Sequence, residues 1–412
     1  MRAKHHYNCG FGGGVLITTI EAAEDVEGAE LVRRLLASGL RGRGGGWFPA
    51  GRKWQAVRAE GGEPLVIGNG AEGEPGSIKD RWLMLTRPRD VLSGLVLAAH
   101  GVGAREAIIY LKGSFAAPAA ALERAAAEEA RQGIAVTIHR GDDSYIAGEE
   151  TAVLEVLEGR RAWPRPKPPL PFAVGFRGRP TLVQNVETLS RIPSAIADPE
   201  GYRATERTLV SLWGHVRRPG VYDVPLGTPV RRIVEEQGAG APDGVGMIFP
   251  AGPSAAPLVG GQLDTPLHPD ALRAAGSALG TAAVLVIDAS ACPVSVGASL
   301  AAFFERESCG QCPPCTVGTA RLSQTLRAVE AGAARPADLD ALAETAGFMS
   351  IHGYCAHSRT AASSVTGLLA RFREDVAAHL AARACPRGGG GGDPFASDSP
   401  ERRAIEATLE TR

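Results

Sequence analysis

The sequence predicts an α/β domain followed by a small α+β module and a helical domain. Residues 64–157 alternate short apolar strands with helical segments, a pattern that favours a mostly parallel sheet covered by helices. Residues 208–287 contain short strands around one helix. Residues 294–382 carry a succession of helical segments that would form a bundle.

The composition sets limits on the class of protein. The chain has 412 residues, which is enough for two or three domains, and its net charge of −1 argues against nucleic acid or membrane surfaces as partners. Its seven cysteines are an odd number, which argues against a disulfide framework and favours a reducing cytoplasm. No apolar run approaches the ~18 residues of a transmembrane helix. We predict no signal peptide.

The individual elements follow from apolar periodicity. In the first domain, strands are predicted at 64–68, 106–111 and 134–139, with helices at 29–38, 90–100, 116–131, about 150–157 and up to about 197. In the second, strands are predicted at 208–213, 220–224, 247–250 and 282–287, around a helix at 228–236. The helical domain begins at 294–307 and continues at about 316–331, 337–349 and 360–382.

A glycine-rich loop, GLRGRGGGWFPAGRKW, occupies residues 39–54. Its glycines let backbone N–H groups approach an anion or a flat ring, and Lys53 supplies a positive charge. It is not a dinucleotide fingerprint, because Trp47 stands at the last glycine position of G-x-G-x-x-G. A flexible linker and an RGG-type RNA-binding segment are the alternatives, and a single copy in a near-neutral chain suits neither.

Two polar segments carry paired carboxylates. The segment at 69–81 follows a predicted strand, where α/β sheets place ligands, and Glu72 and Glu74 either face one cavity or lie in a solvated turn. Glu149 and Glu150 would lie in the first turn of a helix, where its dipole favours negative charge. Helix capping is therefore an alternative to ligand binding for this second pair.

The cysteines indicate a metal centre. Cys309, Cys312 and Cys315 form a CxxCxxC triplet, and Cys355 follows forty residues later, which suits a 4Fe-4S cluster with one remote ligand. A Cys3His zinc site that uses His352 or His357 is the competing interpretation. The remaining cysteines are scattered, and they are Cys9, Cys292 and Cys385; Cys9 with His5 and His6 is a weaker metal candidate.

Taken together, these motifs resemble the NADH-binding flavoprotein subunit of respiratory complex I, the 51-kDa-type subunit, and the flavin subunits of NAD-dependent hydrogenases and formate dehydrogenases. The resemblance covers about residues 27–383. It is carried by GLRGRGG…FP…K at 39–53, N-x-x-E-x-EPG-x-x-KDR at 69–81, Y-I-x-GEETA at 145–152, EG…KPP at 158–169, NVETL at 185–189 and ESCG-x-C-x-PC at 307–315 with Cys355.

The resemblance implies a fold and domain boundaries. They are an N-terminal extension at 1–26, a Rossmann-like α/β domain for FMN and NADH at 27–204, a ubiquitin-like SLBB module at 205–290, a helical 4Fe-4S-binding domain at 291–383 and a disordered tail at 384–412.

The implied activity is that of an NADH dehydrogenase-type flavoprotein. A hydride passes from NADH to FMN, and single electrons pass to the 4Fe-4S cluster and then to an iron–sulfur partner, either a 24-kDa-type 2Fe-2S subunit or a ferredoxin. This implies a cytoplasmic hetero-oligomer without membrane insertion or nucleic acid. The alternative is an electron-transfer subunit of the same fold that no longer oxidises NADH. A third class is an RNA-binding or zinc-structural protein.

The resemblance also implies roles for individual residues. FMN contacts are implied for Gly42, Gly44, Gly45, Lys53, Asn69, Glu72, Gly148, Glu149, Asn185 and Thr188. NADH-side roles are implied for Phe48 and Lys167 as binding residues and for Glu150, Glu74 and Tyr145 at the catalytic position. The cluster ligands would be Cys309, Cys312, Cys315 and Cys355. Four positions depart from the family. Ala71 replaces an Asp, Ala56 and Leu170 stand where aromatic residues often help sandwich the adenine, and Trp47 would either stack on the nucleotide or block its site.

Overall fold

The computed structural model describes residues 27–129, 133–388 and 392–410. Its first region contains a fully parallel four-stranded sheet in the order β3-β2-β1-β4. The strands are β1 (Leu65–Asn69), β2 (Glu106–Lys112), β3 (Ala135–Gly141) and β4 (Thr181–Asn185). The predicted parallel sheet is therefore confirmed. The sequence prediction missed β4, which it treated as the approach to a helix, because only pairing with β1 distinguishes these five residues as a strand.

Helices cover this parallel sheet. They are α1 (Gly28–Ser38), α2 (Ala50–Glu60), α3 (Lys79–Thr86), α4 (Pro88–Val102), α5 (Ala116–Glu129), α6 (Glu150–Leu157), α7 (Val186–Ala197) and α8 (Pro199–Ala204). Helices α4 and α7 cross in very close contact at Gly94, where an added Cβ would lie 1.8 Å from the Leu189 carbonyl oxygen. Only glycine permits this approach, and the contact fixes α7 behind the end of β4.

The second region is a mixed four-stranded sheet in the order β6-β5-β8-β7. Its strands are β5 (Arg207–Gly214), β6 (Gly220–Pro225), β7 (Val245–Pro253) and β8 (Ala283–Asp288), and its helices are α9 (Val230–Arg232), extended by a turn at Ile233–Gln237, and α10 (Pro269–Ala274). Strands β5 and β8 are parallel, whereas the outer pairs are antiparallel. This region has a hydrophobic core of its own, which includes Val210, Ile248 and Val284.

The third region is a helical bundle that carries the cysteine loop. Its helices are α11 (Pro293–Arg306), α12 (Pro313–Glu330), α13 (Pro336–His352), α14 (Ala356–Arg371) and α15 (Arg373–Ala382). Leu326, Val365 and Leu368 are fully buried between them. The CxxCxxC loop lies between α11 and α12, and Cys355 lies between α13 and α14, so both segments are connections within the same bundle.

The C-terminal segment differs from its prediction. Residues 384–412 were predicted to be disordered, but within them the structure describes α16 (Pro400–Glu410) with Ile405 fully buried. Phe395 is also fully buried, with its ring 5.9 Å from Phe249 and 6.3 Å from Phe303. The glycine-rich composition suggested disorder, whereas packing of these two apolar side chains on the rest of the chain supplies the order.

Two sequence predictions concern the chain's N-terminus and the membrane. The N-terminal extension at 1–26, with its candidate ligands His5, His6 and Cys9, lies outside the described residues. Among the helices of the described residues, none combines the length and apolar character needed to cross a bilayer.

Candidate functional site

The carboxyl edge of the parallel sheet brings the predicted polar motifs together. Strands β1 and β4 end side by side at Asn69 and Asn185. The Asn69 side chain donates to the Gly148 carbonyl oxygen at 2.9 Å, and the Asn185 side chain donates to Asp80 at 2.6 Å. The segments at 70–81 and 145–150 therefore meet where α/β sheets bind ligands.

The glycine-rich loop lies over the start of α7 at this edge. The Arg43 backbone N–H donates to the Thr188 hydroxyl oxygen at 2.8 Å. A Cβ at Gly44 would lie 3.1 Å from the Asn185 Cβ, and one at Gly148 would lie 2.7 Å from the Ala71 carbonyl oxygen. Larger residues at Gly44 or Gly148 would push these segments away from the sheet edge. The edge therefore fits a flat, anionic cofactor such as FMN, because the helix N-terminus favours an anion.

A buried charge network holds the loop in place. Lys79 lies 2.7 Å from Asp80 and 3.0 Å from Glu187, while Arg43 lies 2.7 Å from Glu206. Burial acts to raise the Glu187 pKa, but nearby cations, with Lys79 first among them, lower it below its usual value. Sequence reasoning missed Arg43, Lys79 and Glu187. These three residues are charged and stand inside motifs that were expected to form the site. Their charge is the signal that could have identified them, because a buried charge needs a partner of opposite sign.

Two lysines and two carboxylates form the charged side of the site. Lys53 lies 2.9 Å from Glu150, and Lys167 lies 2.7 Å from both Glu149 and Glu150. Burial acts to raise the Glu150 pKa, but Lys53 and Lys167 outweigh it and lower the pKa to about 2. Glu149 also caps α6, accepting from the backbone N–H of Thr151 at 2.8 Å. The capping alternative is therefore correct for Glu149, whereas Glu150 pairs with the lysines.

Glu72 and Glu74 diverge, although they are only two residues apart. Glu72 accepts from the Ser77 hydroxyl at 2.7 Å and the Asp80 backbone N–H at 3.0 Å, so it holds the start of α3. Glu74 accepts from the Tyr145 hydroxyl at 2.9 Å and the Ser254 backbone N–H at 3.1 Å. Burial raises the Glu74 pKa to about 7. The two carboxylates therefore have different partners and do not act as a pair.

The segment at 145–150 also reaches the cysteine loop. The Tyr145 ring lies 5.4 Å from Phe303 and 5.7 Å from His357. Ile146 and Ala147 belong to a small apolar cluster against which Cys309 and Cys355 pack. One short segment thus contacts both the sheet edge and the predicted metal centre.

The four predicted cluster ligands lie together. Cys312 and Cys315 are buried, and Cys309 and Cys355 are partly buried. Burial, to which the charges of the neighbouring cysteines add, raises the thiol pKa of Cys315 to about 12 and that of Cys355 to about 11. Such thiols are costly to ionise alone, and a bound metal centre would supply the positive charge that stabilises four thiolates.

The spacing of these sulfur atoms bears on whether they would bind a 4Fe-4S cluster or a single zinc ion. Thiolates on one zinc ion lie about 3.8 Å apart, since each Zn–S bond is about 2.3 Å. Among the described residues, no three of these cysteine sulfurs lie within 4.8 Å of one another, with or without His352 or His357. His357 pairs its Nε2 with the Phe304 carbonyl oxygen at 3.0 Å. The wider spacing of the donor atoms favours a 4Fe-4S cluster over the Cys3His zinc interpretation.

Trp47 and Ala71, which depart from the family pattern, lie in different surroundings. Trp47 is only 6% exposed, donates to the Gly280 carbonyl oxygen at 2.7 Å and packs into the core of the second region. It therefore offers no stacking surface to a nucleotide. Phe48, by contrast, is 54% exposed beside the glycine-rich loop. The Ala71 N–H donates to the Asn69 side chain at 3.1 Å, so this position still braces the edge.

Comparison with known proteins agrees with this arrangement. Residues 35–194 match the family model of the Nuo51 FMN-binding domain, and residues 295–379 match that of the NADH-ubiquinone oxidoreductase-F iron-sulfur binding region. The NAD+-reducing [NiFe]-hydrogenase in its H2-reduced state has a chain that is 32% identical, with a TM-score of 0.81. That match covers 89% of this chain and 64% of the hydrogenase chain, so this protein spans less than two thirds of it.

Curated relatives, all F subunits of NADH-quinone oxidoreductases, are covered over more of their own length. The F subunit 2 of Rhizobium meliloti (strain 1021) is 38% identical over 87% of this chain and 90% of the relative. The F subunit of Streptomyces coelicolor is 36% identical over 87% of this chain and 84% of the relative, and that of Escherichia coli (strain K12) is 35% identical over 85% and 84%. On this identity and coverage, the chain belongs to the family of NADH-quinone oxidoreductase F subunits.

Proposed function

We propose that this chain is the NADH-oxidising flavoprotein subunit of an electron-transfer enzyme, with FMN, NAD(H) and a 4Fe-4S cluster as its cofactors. The observation that carries the proposal is the segment at 145–150. It touches the sheet edge through the bond from Asn69 to Gly148, and it touches the cluster cysteines through Ile146 and Ala147. Two cofactors held at these places would be neighbours, as single-electron transfer requires.

The FMN residues act by shape and charge. Bound FMN supplies the conversion of one hydride into two single-electron transfers. The proposed contacts are Gly42, Gly44, Gly45, Lys53, Asn69, Gly148, Glu149, Asn185 and Thr188. Gly44 and Gly148 let their segments approach the sheet edge closely enough to contact the cofactor, and the start of α7 favours its phosphate. Glu72 would act indirectly, because both its carboxylate oxygens already bind the segment at 77–81.

The proposed nucleotide side consists of Phe48, Glu74, Tyr145, Glu150 and Lys167. The exposed Phe48 ring can stack on a base, and such stacking is worth ~1–3 kcal/mol per base. Glu150 stays ionised between Lys53 and Lys167 and fixes their positions. Glu74 exchanges a proton near pH 7, and its carboxylate orients the Tyr145 hydroxyl. Alignment is the main requirement, because hydride transfer to a flavin needs no proton donor.

The electron partner is proposed to be a separate iron–sulfur protein, either a 24-kDa-type 2Fe-2S subunit or a ferredoxin, within a hetero-oligomer. Exposed apolar side chains lie on the segments next to the cluster cysteines in the sequence, and they are Val317 after Cys315 and Phe348, Ile351 and Tyr354 before Cys355. Ile351 is 77% exposed, and such a patch is typical of a protein interface. A protein docked there would bring its own cluster close to this one.

The remaining parts of the proposal concern architecture and location. We propose domain boundaries of 27–204, 205–290 and 291–383, with the middle domain a ubiquitin-like SLBB module. The mixed four-stranded sheet with its own core supports that assignment. A cytoplasmic location is proposed from cysteine usage, since the six cysteines within the described residues are not in disulfides.

The proposal is tested by anaerobic purification and a visible spectrum before and after NADH is added. We expect flavin bands over a broad cluster absorbance, and both should bleach with NADH. Flavin and cluster that respond only to dithionite would contradict NADH oxidation and favour another donor. A colourless protein would contradict both cofactor assignments. Cys355→Ser is the matched variant: it should lose cluster iron and sulfide while NADH still reduces its flavin.

A further inference from the structure

A second metal-binding constellation lies at the far end of the helical bundle. Cys292, His379 and Cys385 offer ligand atoms that all lie within 4.8 Å of one another. Cys292 and Cys385 lie outside residues 295–379, which match the iron-sulfur binding region. Cys292 precedes α11 and the cluster loop follows it, so the two sites are about 20 Å apart along this helix of 14 residues.

The distances within this group match a single tetrahedral ion. The Cys292 and Cys385 sulfurs are 3.7 Å apart, and the Cys292 sulfur lies 3.4 Å from the His379 Nε2. Around one zinc ion, two thiolates lie about 3.8 Å apart and a thiolate lies about 3.5 Å from an imidazole nitrogen, given bonds of about 2.3 and 2.0–2.1 Å. The cluster cysteines, which are more widely spaced, do not meet these distances.

The histidine is oriented as a metal ligand. Its Nδ1 lies 2.7 Å from the Asp375 carbonyl oxygen, which can only accept, so Nδ1 carries the proton. The unprotonated Nε2 then faces the Cys292 sulfur. Metal-bound histidines generally donate their other ring nitrogen in this way, which fixes both tautomer and ring orientation.

The surroundings favour a bound cation as well. His379 is 1% exposed and Cys292 is 3% exposed, and Cys292 packs in an apolar cluster with Val294, Val329 and Val376. A buried thiolate in such an apolar pocket requires a positive partner. Thiolate and imidazole ligands together favour zinc.

We propose that Cys292, His379 and Cys385 form a structural zinc site that joins the start of α11 to α15 and the segment after it. On binding, each of the two thiols releases one proton and forms a Zn–S bond, while the neutral His379 Nε2 forms a Zn–N bond. Among the described residues, no fourth cysteine, histidine or carboxylate joins this group, so a water molecule would complete the tetrahedron. Arg387 reinforces the same junction by donating to the carbonyl oxygens of Ala289 and Ala291.

The test is elemental analysis of the intact, cofactor-loaded chain, purified anaerobically with a thiol reductant. We expect about one zinc ion per chain beside the cluster iron. Cys385→Ser should lose the zinc and keep its iron and flavin, and Cys355→Ser should do the reverse. Cys9→Ser tests the weaker N-terminal candidate of His5, His6 and Cys9, and we expect it to change neither metal.

A second measurement covers the case in which Cys385→Ser does not fold. In wild-type chain, a zinc chelator should lower the thermal midpoint, and added Zn²⁺ but not Mg²⁺ should restore it at constant iron content. Alkylation of Cys292 and Cys385, read by peptide mass spectrometry, should rise only after chelation. A wild-type chain that neither contains zinc nor takes it up would overturn the proposal. So would a Cys292–Cys385 disulfide in the anaerobic preparation, or zinc retained by a folded Cys385→Ser chain.

Discussion

Glu74 and Glu150 lie at the same edge of the parallel sheet, and their environments shift their pKa values in opposite directions. Glu150 lies between Lys53 and Lys167, and its pKa falls to about 2. Glu74 faces only the Tyr145 hydroxyl and the Ser254 hydroxyl and backbone N–H, and burial raises its pKa to about 7. At neutral pH one carboxylate is a fixed anion, while the other exchanges a proton.

The difference shows how one edge can serve two tasks. A fixed anion between two lysines holds these long side chains in position for a nucleotide or a phosphate. A carboxyl group that titrates near neutrality instead responds to the charge of whatever binds beside it. The same Glu→Gln substitution at the two positions should therefore change stability with opposite sign.

The largest effect is expected from Glu150→Gln. Breaking a buried ion pair costs 3–5 kcal/mol, and these side chains are 26–29% exposed, so we expect a loss of about 3 kcal/mol at pH 7. The folded pKa lies below the usual 4.5, so the wild-type advantage is complete above pH 4.5 and disappears as the pH falls towards 2. Urea denaturation of FMN-saturated protein at pH 7 and pH 3 measures both. An equal loss at both pH values would contradict the assignment.

Glu74→Gln should have a smaller and opposite effect. Its folded pKa of about 7 lies above 4.5, so ionisation in the unfolded chain favours unfolding as the pH rises from 4.5 to 7. Glutamine cannot ionise, and its single side-chain oxygen can keep the bond from the Ser254 backbone N–H but not also the bond from Tyr145, which reaches the other carboxylate oxygen. The rise of the Glu74 pKa from 4.5 to about 7 corresponds to about 3 kcal/mol at pH 8, and the lost bond costs about 1 kcal/mol. We therefore expect the variant to gain about 2 kcal/mol at pH 8 and to lose about 1 kcal/mol at pH 4.5. The same urea denaturation series measures this change. A variant that is destabilised at pH 8 would contradict the conclusion that burial raises the Glu74 pKa.

Tyr145→Phe should produce the smallest change. It removes the hydroxyl that donates to Glu74, which is worth about 1 kcal/mol, and it keeps the ring contacts with Phe303 and His357. Because this bond lowers the Glu74 pKa, its loss should raise that pKa above about 7. The upper end of the pH window over which stability falls should then rise in the denaturation series, while its lower end stays near pH 4.5. An unmoved window would mean that the hydroxyl does not control Glu74.

Much of the candidate site could be predicted because its residues are clustered in the sequence. The CxxCxxC loop, the segment at 69–81 and the segment at 145–152 each indicate their chemistry through residue type and spacing. The triad of Cys292, His379 and Cys385 could not be found in this way, since its members are spread over 94 positions. Only the packing of α15 against the start of α11 brings them within ligand distance.

The sequence by itself determined the parallel sheet and the helical domain and proposed four cysteines as cluster ligands, because periodicity and local spacing can be read along the chain. The tertiary structure alone decided which neighbours each buried group acquired. It gave Glu72 and Glu74 different partners, placed Trp47 in a hydrophobic core and ordered the segment around Phe395. The physical reason is that pKa, ligand spacing and burial depend on distances between segments remote in sequence, and only folding sets those distances.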